Sequence, residues 1–363
     1  MAKVEQEVKS AGKKVTGIEI VGLVLVAAAL LGLFFGSSAL AGVFDAMVKK
    51  AYVIFRVFIF DGTVGIAIIV SVIIGRILER LGFTDALMRI FVPIMRYFGL
   101  NSAVTIPSVY NVLGDINAAG RIAGPILLKA GATKDEQKIA VATMVQSQQS
   151  FSTFMLGILA MSIVGIKVFP VIVLVIFGPL IIVPILLRFT LYRDTKAVAL
   201  DHLPKFTPET PALATLFGAA REGAELLFLL IIPAGAAVYA IIGGLEYLGI
   251  WQPINATLTG LLTAVSIHPD TGILSIMVSP TLAMGTLVET VKSTPVAPAL
   301  VLGSFVLASS GFPLSVIFGQ IPAVWAEVTD LSEREAMTAA VLGAVMRLAT
   351  AAIIALLLAP LFI

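Results

Sequence analysis

Two places in this chain set hydrogen-bonding side chains among apolar neighbours. The first is Asp115, in the segment Pro107-Ser108-Val109-Tyr110-Asn111-Val112-Leu113-Gly114-Asp115-Ile116-Asn117-Ala118-Ala119-Gly120-Arg121. A carboxylate in such surroundings can bind a cationic group or carry a proton, and its cost within a membrane makes it a functional candidate by default. Gly114 can break a helix and Asp115 and Asn117 can cap the next one; the structural readings of Asp115 are such a simple cap or a pair with Arg121. The second place is Gln146-Ser147-Gln148-Gln149-Ser150-Phe151-Ser152-Thr153, where six of the seven residues from 146 to 152 are polar. Amides and hydroxyls both donate and accept, so they suit a neutral or zwitterionic polar solute better than a bare metal ion. Gln146, Gln149 and Thr153 recur at three- and four-residue spacing, which predicts one shared helix face with Ser150 between them. Polar residues also join membrane helices to one another, but a run this dense favours a water-lined cavity.

Each place has a counterpart further along. Ser275-Ile276-Met277-Val278-Ser279-Pro280-Thr281-Leu282-Ala283-Met284-Gly285-Thr286 is again apolar but interrupted. Aligning Ala118-Ala119-Gly120 with Ala283-Met284-Gly285 puts Asp115 opposite Pro280 and Gly114 opposite Ser279, so the break is kept and the acid is not. Ser309-Ser310-Gly311-Phe312-Pro313-Leu314-Ser315 matches the Ser/Gln run. Gly311 and Pro313 should unwind a helix there, and carbonyls freed at such a break can hold a cation such as sodium. Gln320 precedes the helix-kinking Pro322 and either faces a cavity or satisfies a freed carbonyl. His268 and Asp270, at the mouth of the second broken segment, read as a loop cap. Arg347 lies inside an apolar span and needs a partner or must snorkel.

The elements that position these residues follow from composition. Of the 363 residues 59% are hydrophobic and 13% charged, whereas soluble domains carry about 25% charged residues. The chain is an all-α polytopic membrane protein. Spans of about 20 apolar residues are predicted near 17–36, 62–79, 139–163, 168–190, 226–248, 296–324 and 337–361. Residues 46–60 read as an interfacial helix or short span. In 85–99, Arg89 and Arg96 lie seven apart beside Leu87, Ile90, Phe91, Ile94 and Met95, a spacing that predicts one charged and one apolar face, as in a helix in the membrane interface; 253–265 reads the same way.

A pentapeptide marks a repeat: Leu78-Glu79-Arg80-Leu81-Gly82 returns as Leu245-Glu246-Tyr247-Leu248-Gly249. Lysines before the first span, arginines at 76–96, Lys129–Lys138 and Arg188–Lys205 place those segments inside by the positive-inside rule. Residues 102–130 then enter and return on one side as a re-entrant hairpin, and 270–293 do so from the other side. The expected organisation is a cytoplasmic tail, first transmembrane helix and amphipathic segment (1–60), a first repeat (61–190), a cytoplasmic linker rich in Pro and Thr (191–223) and a second, inverted repeat (224–363). Each repeat carries a re-entrant helical hairpin and an interfacial helix. Paired broken segments in two inverted halves point to a transporter site at the midplane.

Several classes are excluded. There is no cysteine and there are only two histidines, so thiolate and histidine-rich metal sites are out. The net charge of +2 and the lack of a basic stripe argue against nucleic acid. No phosphate-binding loop or nucleophile–base constellation is present. The reading is of a non-enzyme with no cofactor, and with Na+ or H+ as the candidate coupling ion.

Gly114-Asp115-Ile116-Asn117-Ala118-Ala119-Gly120 followed by a polar helix, with Ser309-Ser310-Gly311-Phe312-Pro313 in the second copy, resembles the prokaryotic Gate-domain (nucleoside recognition domain) membrane proteins over about 60–190 and 224–362. The Gate unit is similar to parts of concentrative nucleoside transporters, ferrous iron permease and spore maturation proteins, and more distantly to ethanolamine permeases. The resemblance implies an inverted-repeat fold with a central polar site, a prokaryotic inner membrane and a homo-oligomer as one assembly to test. The expected function is secondary active transport of a small polar solute, nucleoside-like or amine-like, by alternating access. Asp115, Asn117, Gln146, Gln149 and Ser150 would act from one half and Ser279, Thr281, Ser309, Ser310 and Gln320 from the other. The alternatives are a channel or passive permease, and a non-transporting membrane partner of a larger complex.

Overall fold

The computed structural model describes residues 15–60, 63–148 and 150–362, with the backbone alone at Asn117. Every regular element among the described residues is helical. Three helices start from a Ser/Thr-x-x-Glu capping box, in which hydroxyl and carboxylate satisfy each other's orphan N–H groups. These boxes are Thr16/Glu19, Thr133/Glu136 and Ser332/Glu335.

The first box opens α1 (Gly17–Phe60), which bends where Gly36 leaves helical geometry (φ −149°, ψ 37°). Residues 46–60, expected as an interfacial helix or short span, continue α1 beyond the bend at Gly36. The first repeat then runs through α2 (Val64–Arg80), α3 (Phe83–Phe91) and α4 (Ile94–Tyr97). A helical pair follows, α5 (Ile106–Asn111) and α6 (Ile116–Lys129), then α7 (Lys134–Gln146), α8 (Phe151–Ile163) and α9 (Val168–Thr190). The second repeat returns the same order. It comprises α10 (Ala212–Tyr247), α11 (Trp251–Ala264), the pair α12 (Pro269–Met277) and α13 (Pro280–Ser293), then α14 (Pro298–Ala308), α15 (Val316–Val328) and α16 (Glu333–Phe362). Four helices are long and apolar enough to span a bilayer: α1, α9, α10 and α16.

The split between α3 and α4 falls at Pro93; Arg89 and Arg96 stay exposed and Leu87, Phe91 and Met95 are buried, as their spacing predicts, but Ile90, expected on the apolar face, is exposed beside Arg89. Two expectations are corrected. Residues 139–163 are not one span: α7 ends at Gln146, and Ser147 (ψ 160°) and Ser150 (ψ 129°) are extended. Gln146 and Thr153 therefore do not share a helix face, and Gln149, the third of that set, lies outside the described residues. The part of the linker from 212 onward is helical and belongs to α10, because Ala212–Glu225 is rich in strong helix formers.

Prolines shape the long helices. Four of the five π turns among the described residues, Val173–Phe177, Leu226–Ile231, Val316–Gln320 and Ile354–Leu358, sit two residues before a proline, Pro179, Pro233, Pro322 and Pro360; the fifth, Arg56–Phe60, ends α1 without one. A proline has no N–H and crowds the carbonyl four residues earlier, and widening that turn relieves the clash. The two repeats interlock at α7 and α16. Gly343 allows this, since a Cβ there would sit 2.6 Å from the Ala142 carbonyl oxygen. Lys134 and Lys138 of α7 pair with Glu335 of α16 at 3.2 and 3.7 Å, tying their starts together.

Candidate functional site

Three helices begin at one cavity of about 460 Å³. Asp115 caps α6, its carboxylate accepting the Ala118 N–H at 3.1 Å. Ser279 caps α13, its hydroxyl accepting from Leu282 N–H at 3.5 Å. Ser150 occupies the cap position of α8. Both working caps reach three residues on, so Asp115 corresponds to Ser279; the sequence alignment was out of step by one residue. At the first tip, Gly114 is required by close packing: a Cβ would lie 2.5 Å from the Tyr110 ring and 2.8 Å from its carbonyl oxygen.

The cavity wall is completed by Leu113, Ser152, Thr153 and Thr281 and by Val72, Gly75 and Arg76 of α2. Glu222, Glu225, Leu226 and Leu230 of α10 close the other side. The hydroxyls of Thr153 and Thr281 are 2.9 Å apart, and Thr281 donates to Ser150 Oγ at 3.5 Å, so the first break and the second hairpin meet at one rim. Arg76 spans the repeats: Nε and Nη2 grip Glu222 at 2.8 and 2.6 Å, and Nη1 meets Glu79 at 2.6 Å.

The electrostatics of this wall nearly balance. Each helix N-terminus carries about half a positive charge. Three such ends and Arg76 therefore face the three carboxylates of Asp115, Glu222 and Glu225, leaving a small net field. The wall thus combines hydroxyl donors and acceptors with little net charge, and the Asp115 carboxylate is exposed in it.

Of the residues singled out from sequence, Asp115, Ser150, Ser279 and Thr281 come together here. The Asn117 side chain and all of Gln149 lie outside the described residues. Gln146, Ser309 and Ser310 are fully buried but do not line the cavity. Both polar side-chain atoms of Gln146 and the Ser309 hydroxyl lack protein partners, and the Ser310 hydroxyl donates to the Leu307 carbonyl at 2.5 Å. Gln320 lies in the π turn of α15 before Pro322, is exposed and does not line this wall. Arg121 reaches Glu327 at 3.6 Å. His268 sits in a cap, as expected: Thr271 Oγ1 donates to its carbonyl at 2.9 Å, and its N–H donates to Ser304 Oγ at 3.0 Å.

Sequence reasoning missed Arg76, Glu222 and Glu225 as wall residues. They read as positive-inside and flanking charges, and the one available signal was that complementary charges end matching apolar helices in both halves.

No protein-family model matches the chain, and no curated protein matches it. Solved structures do. The fold is similar to CNTnw in an inward-facing substrate-bound state, with 12% identity, a TM-score of 0.58, and coverage of 94% of this chain and 87% of that one. Two doubly substituted variants of CNTnw in outward-facing states match at 14% identity with TM-scores of 0.58 and 0.59, again over 94% of this chain and over 87% and 86% of theirs. CNTnw is a concentrative nucleoside transporter. The likeness is one of fold, and it extends over almost the whole all-α membrane protein.

Proposed function

We propose that this protein is a secondary active membrane transporter of a small polar solute, nucleoside-like or amine-like, working by alternating access with a coupled proton or sodium ion. The observation that carries the reading is the convergence of two hairpin tips and a helix break, drawn from both repeats, on one cavity with Asp115, Ser150, Ser279 and Thr281 in its wall. A volume of about 460 Å³ suits a small ligand. The neutral amphoteric wall favours a nucleoside-like solute. Asp115 is the group that would hold an amine or the coupling proton. The similarity to a transporter found facing both inward and outward supports a mechanism of the same kind, in a Gate-like inverted repeat whose N-terminus is cytoplasmic in a prokaryotic inner membrane.

The test is a thermal-shift screen of purified protein against nucleosides, nucleobases and amines, with and without sodium. A ligand bound only by the folded state raises the melting temperature by mass action. The expected result is a hit that Asp115→Asn weakens, followed by uphill accumulation of that compound in proteoliposomes. Downhill equilibration alone would make the protein a channel or passive permease. Binding indifferent to Asp115→Asn and Thr281→Val would remove the cavity from the mechanism.

A further inference from the structure

Arg347 is fully buried in α16, and its guanidinium faces main-chain carbonyls of three other helices. Nε donates to Val306 O at 2.6 Å and Nη2 to Ser309 O at 2.5 Å. Nη1 donates to Gln146 O at 3.0 Å and to Val175 O at 3.3 Å. Among the described residues no carboxylate reaches it.

The sequence explains why these four carbonyls are available. In an α-helix the carbonyl of one residue is taken by the N–H four residues on. Four residues after Val175 stands Pro179, which has no N–H to give, and Ser309 lies just past the end of α14, in the non-helical stretch that leads to Pro313. Gln146 and Val306 lie in the last turns of α7 and α14, where carbonyls have no intrahelical partner. Arg347 thus collects the acceptors that two helix breaks and a proline-opened turn leave orphaned. Each helix C-terminus carries about half a negative charge, so the ends of α7 and α14 together offset one guanidinium without an acid. Gly343, one turn before Arg347, lets α16 come close enough to make the contact.

Carbonyls of broken helices at the core of a secondary transporter are where a mobile coupling cation is expected. We propose that Arg347 is a resident cation in that position: its guanidinium fills the carbonyl-lined junction of the two helix breaks, so this junction takes no sodium and the breaks of opposite repeats are held as one body. The consequence for coupling rests on the transporter reading above, since it leaves Asp115 and the cavity carboxylates as the groups able to carry a coupled charge. The clamp itself does not depend on that reading.

The test needs no transport substrate. The melting temperature of the full-length purified protein is compared in sodium chloride and choline chloride at equal ionic strength, for wild type, Arg347→Ala and Arg347→Lys, each with and without Asp115→Asn. Wild type should show no sodium-specific rise that survives Asp115→Asn. Arg347→Ala should melt several degrees lower in choline and regain part of the loss in sodium, because the vacated carbonyls can then bind it. Arg347→Lys, which keeps the charge but not the fork, should melt between the two and likewise show no sodium-specific rise that survives Asp115→Asn. A sodium-specific rise that persists when Asp115→Asn is added to wild type or to Arg347→Lys overturns the proposal. So does an Arg347→Ala variant as stable as wild type, or one that sodium does not help. If Arg347→Ala yields no folded protein, the wild-type and Arg347→Lys comparisons decide alone. Failure to find any transported solute would count against the transporter reading and leave this comparison intact.

Discussion

Arg76 is the strut between repeats at the cavity, and Arg76→Met isolates its contribution. Its guanidinium lies 2.6 Å from carboxylate oxygens of both Glu79 and Glu222. At an effective dielectric of about 20, unit charges 2.6 Å apart attract by about 6 kcal/mol before desolvation. Desolvation cancels much of this, and deleting one member of a buried pair costs about 3–5 kcal/mol, largely because the other charge is stranded. The two acids differ in how they would be stranded: the Glu79 side chain is 11% exposed and that of Glu222 is 46%. Glu222 can rehydrate and Glu79 cannot. The loss should therefore come mostly from Glu79 and lie near the lower figure, about 3 kcal/mol, or about a hundredfold in the folded ratio. Arg76→Met/Glu79→Gln should recover to within about 1 kcal/mol of wild type, since no buried charge remains unpaired. SDS-titrated unfolding followed by tryptophan fluorescence reads this directly, because Trp325 is buried in the folded state. An Arg76→Met variant as stable as wild type, or a double variant no better than the single, would refute the reasoning.

Three further outcomes follow from single contacts. Thr281→Val strands the buried Thr153 hydroxyl and should cost about 1–2 kcal/mol, whereas Thr153→Val should cost less because Thr281 keeps Ser150, and the double variant should cost little more than Thr281→Val, as a double-mutant cycle would show. Gly114→Leu should drive the first hairpin tip off Tyr110, at a cost of about 1–3 kcal/mol for overpacking, and should abolish ligand-induced thermal shifts in protein that still elutes as a folded species. Burial pushes the Asp85 carboxyl up, but the Thr207 hydroxyl at 2.6 Å, the N–H groups of Phe206 and Thr207 and the charge of Lys205 hold it below the ordinary carboxylate range overall. The unfolded value is about 3.9, so this contribution is fully present above that pH and is lost only as pH falls through the lower folded value. Tryptic cleavage after Lys205 should accordingly stay slow at pH 8, and Asp85→Asn should speed it several-fold at the same pH.

The parts of the site legible in sequence are those whose signal is local. Gly114-Asp115 and Ser279-Pro280 announce a helix break and a cap within a few residues, and both hairpin tips lie there. Gly311 and Pro313 likewise end α14, which stops at Ala308. The break at 147–150 was hidden because glutamine and serine carry no intrinsic stop signal. Their spacing fitted a helix face as well as it fitted a gap. Whether a polar residue faces the cavity is settled by packing that no local pattern encodes: Gln146 and Ser309 project into protein, and Gln320 outward. The Arg76–Glu222 pair joins residues 146 positions apart, and either charge alone reads as a membrane-flanking residue.

Broken helices expose opposite ends to different places in this fold, and that sorting accounts for its polar interior. N-termini of α6, α8 and α13 open on the cavity, where their unpaired N–H groups are met by Asp115, Ser279 and solvent or ligand. C-termini of α7 and α14 turn to Arg347 instead, where their carbonyls are met by a fixed cation. A donor-rich end can be left to a solute that supplies acceptors, because water replaces that solute when it leaves. A buried carbonyl cluster has no such exchange and must be satisfied within the chain, since each orphaned group would cost about 1–3 kcal/mol. The first break therefore serves both ends at once, with Gln146 on the clamped side and Ser150 on the open side.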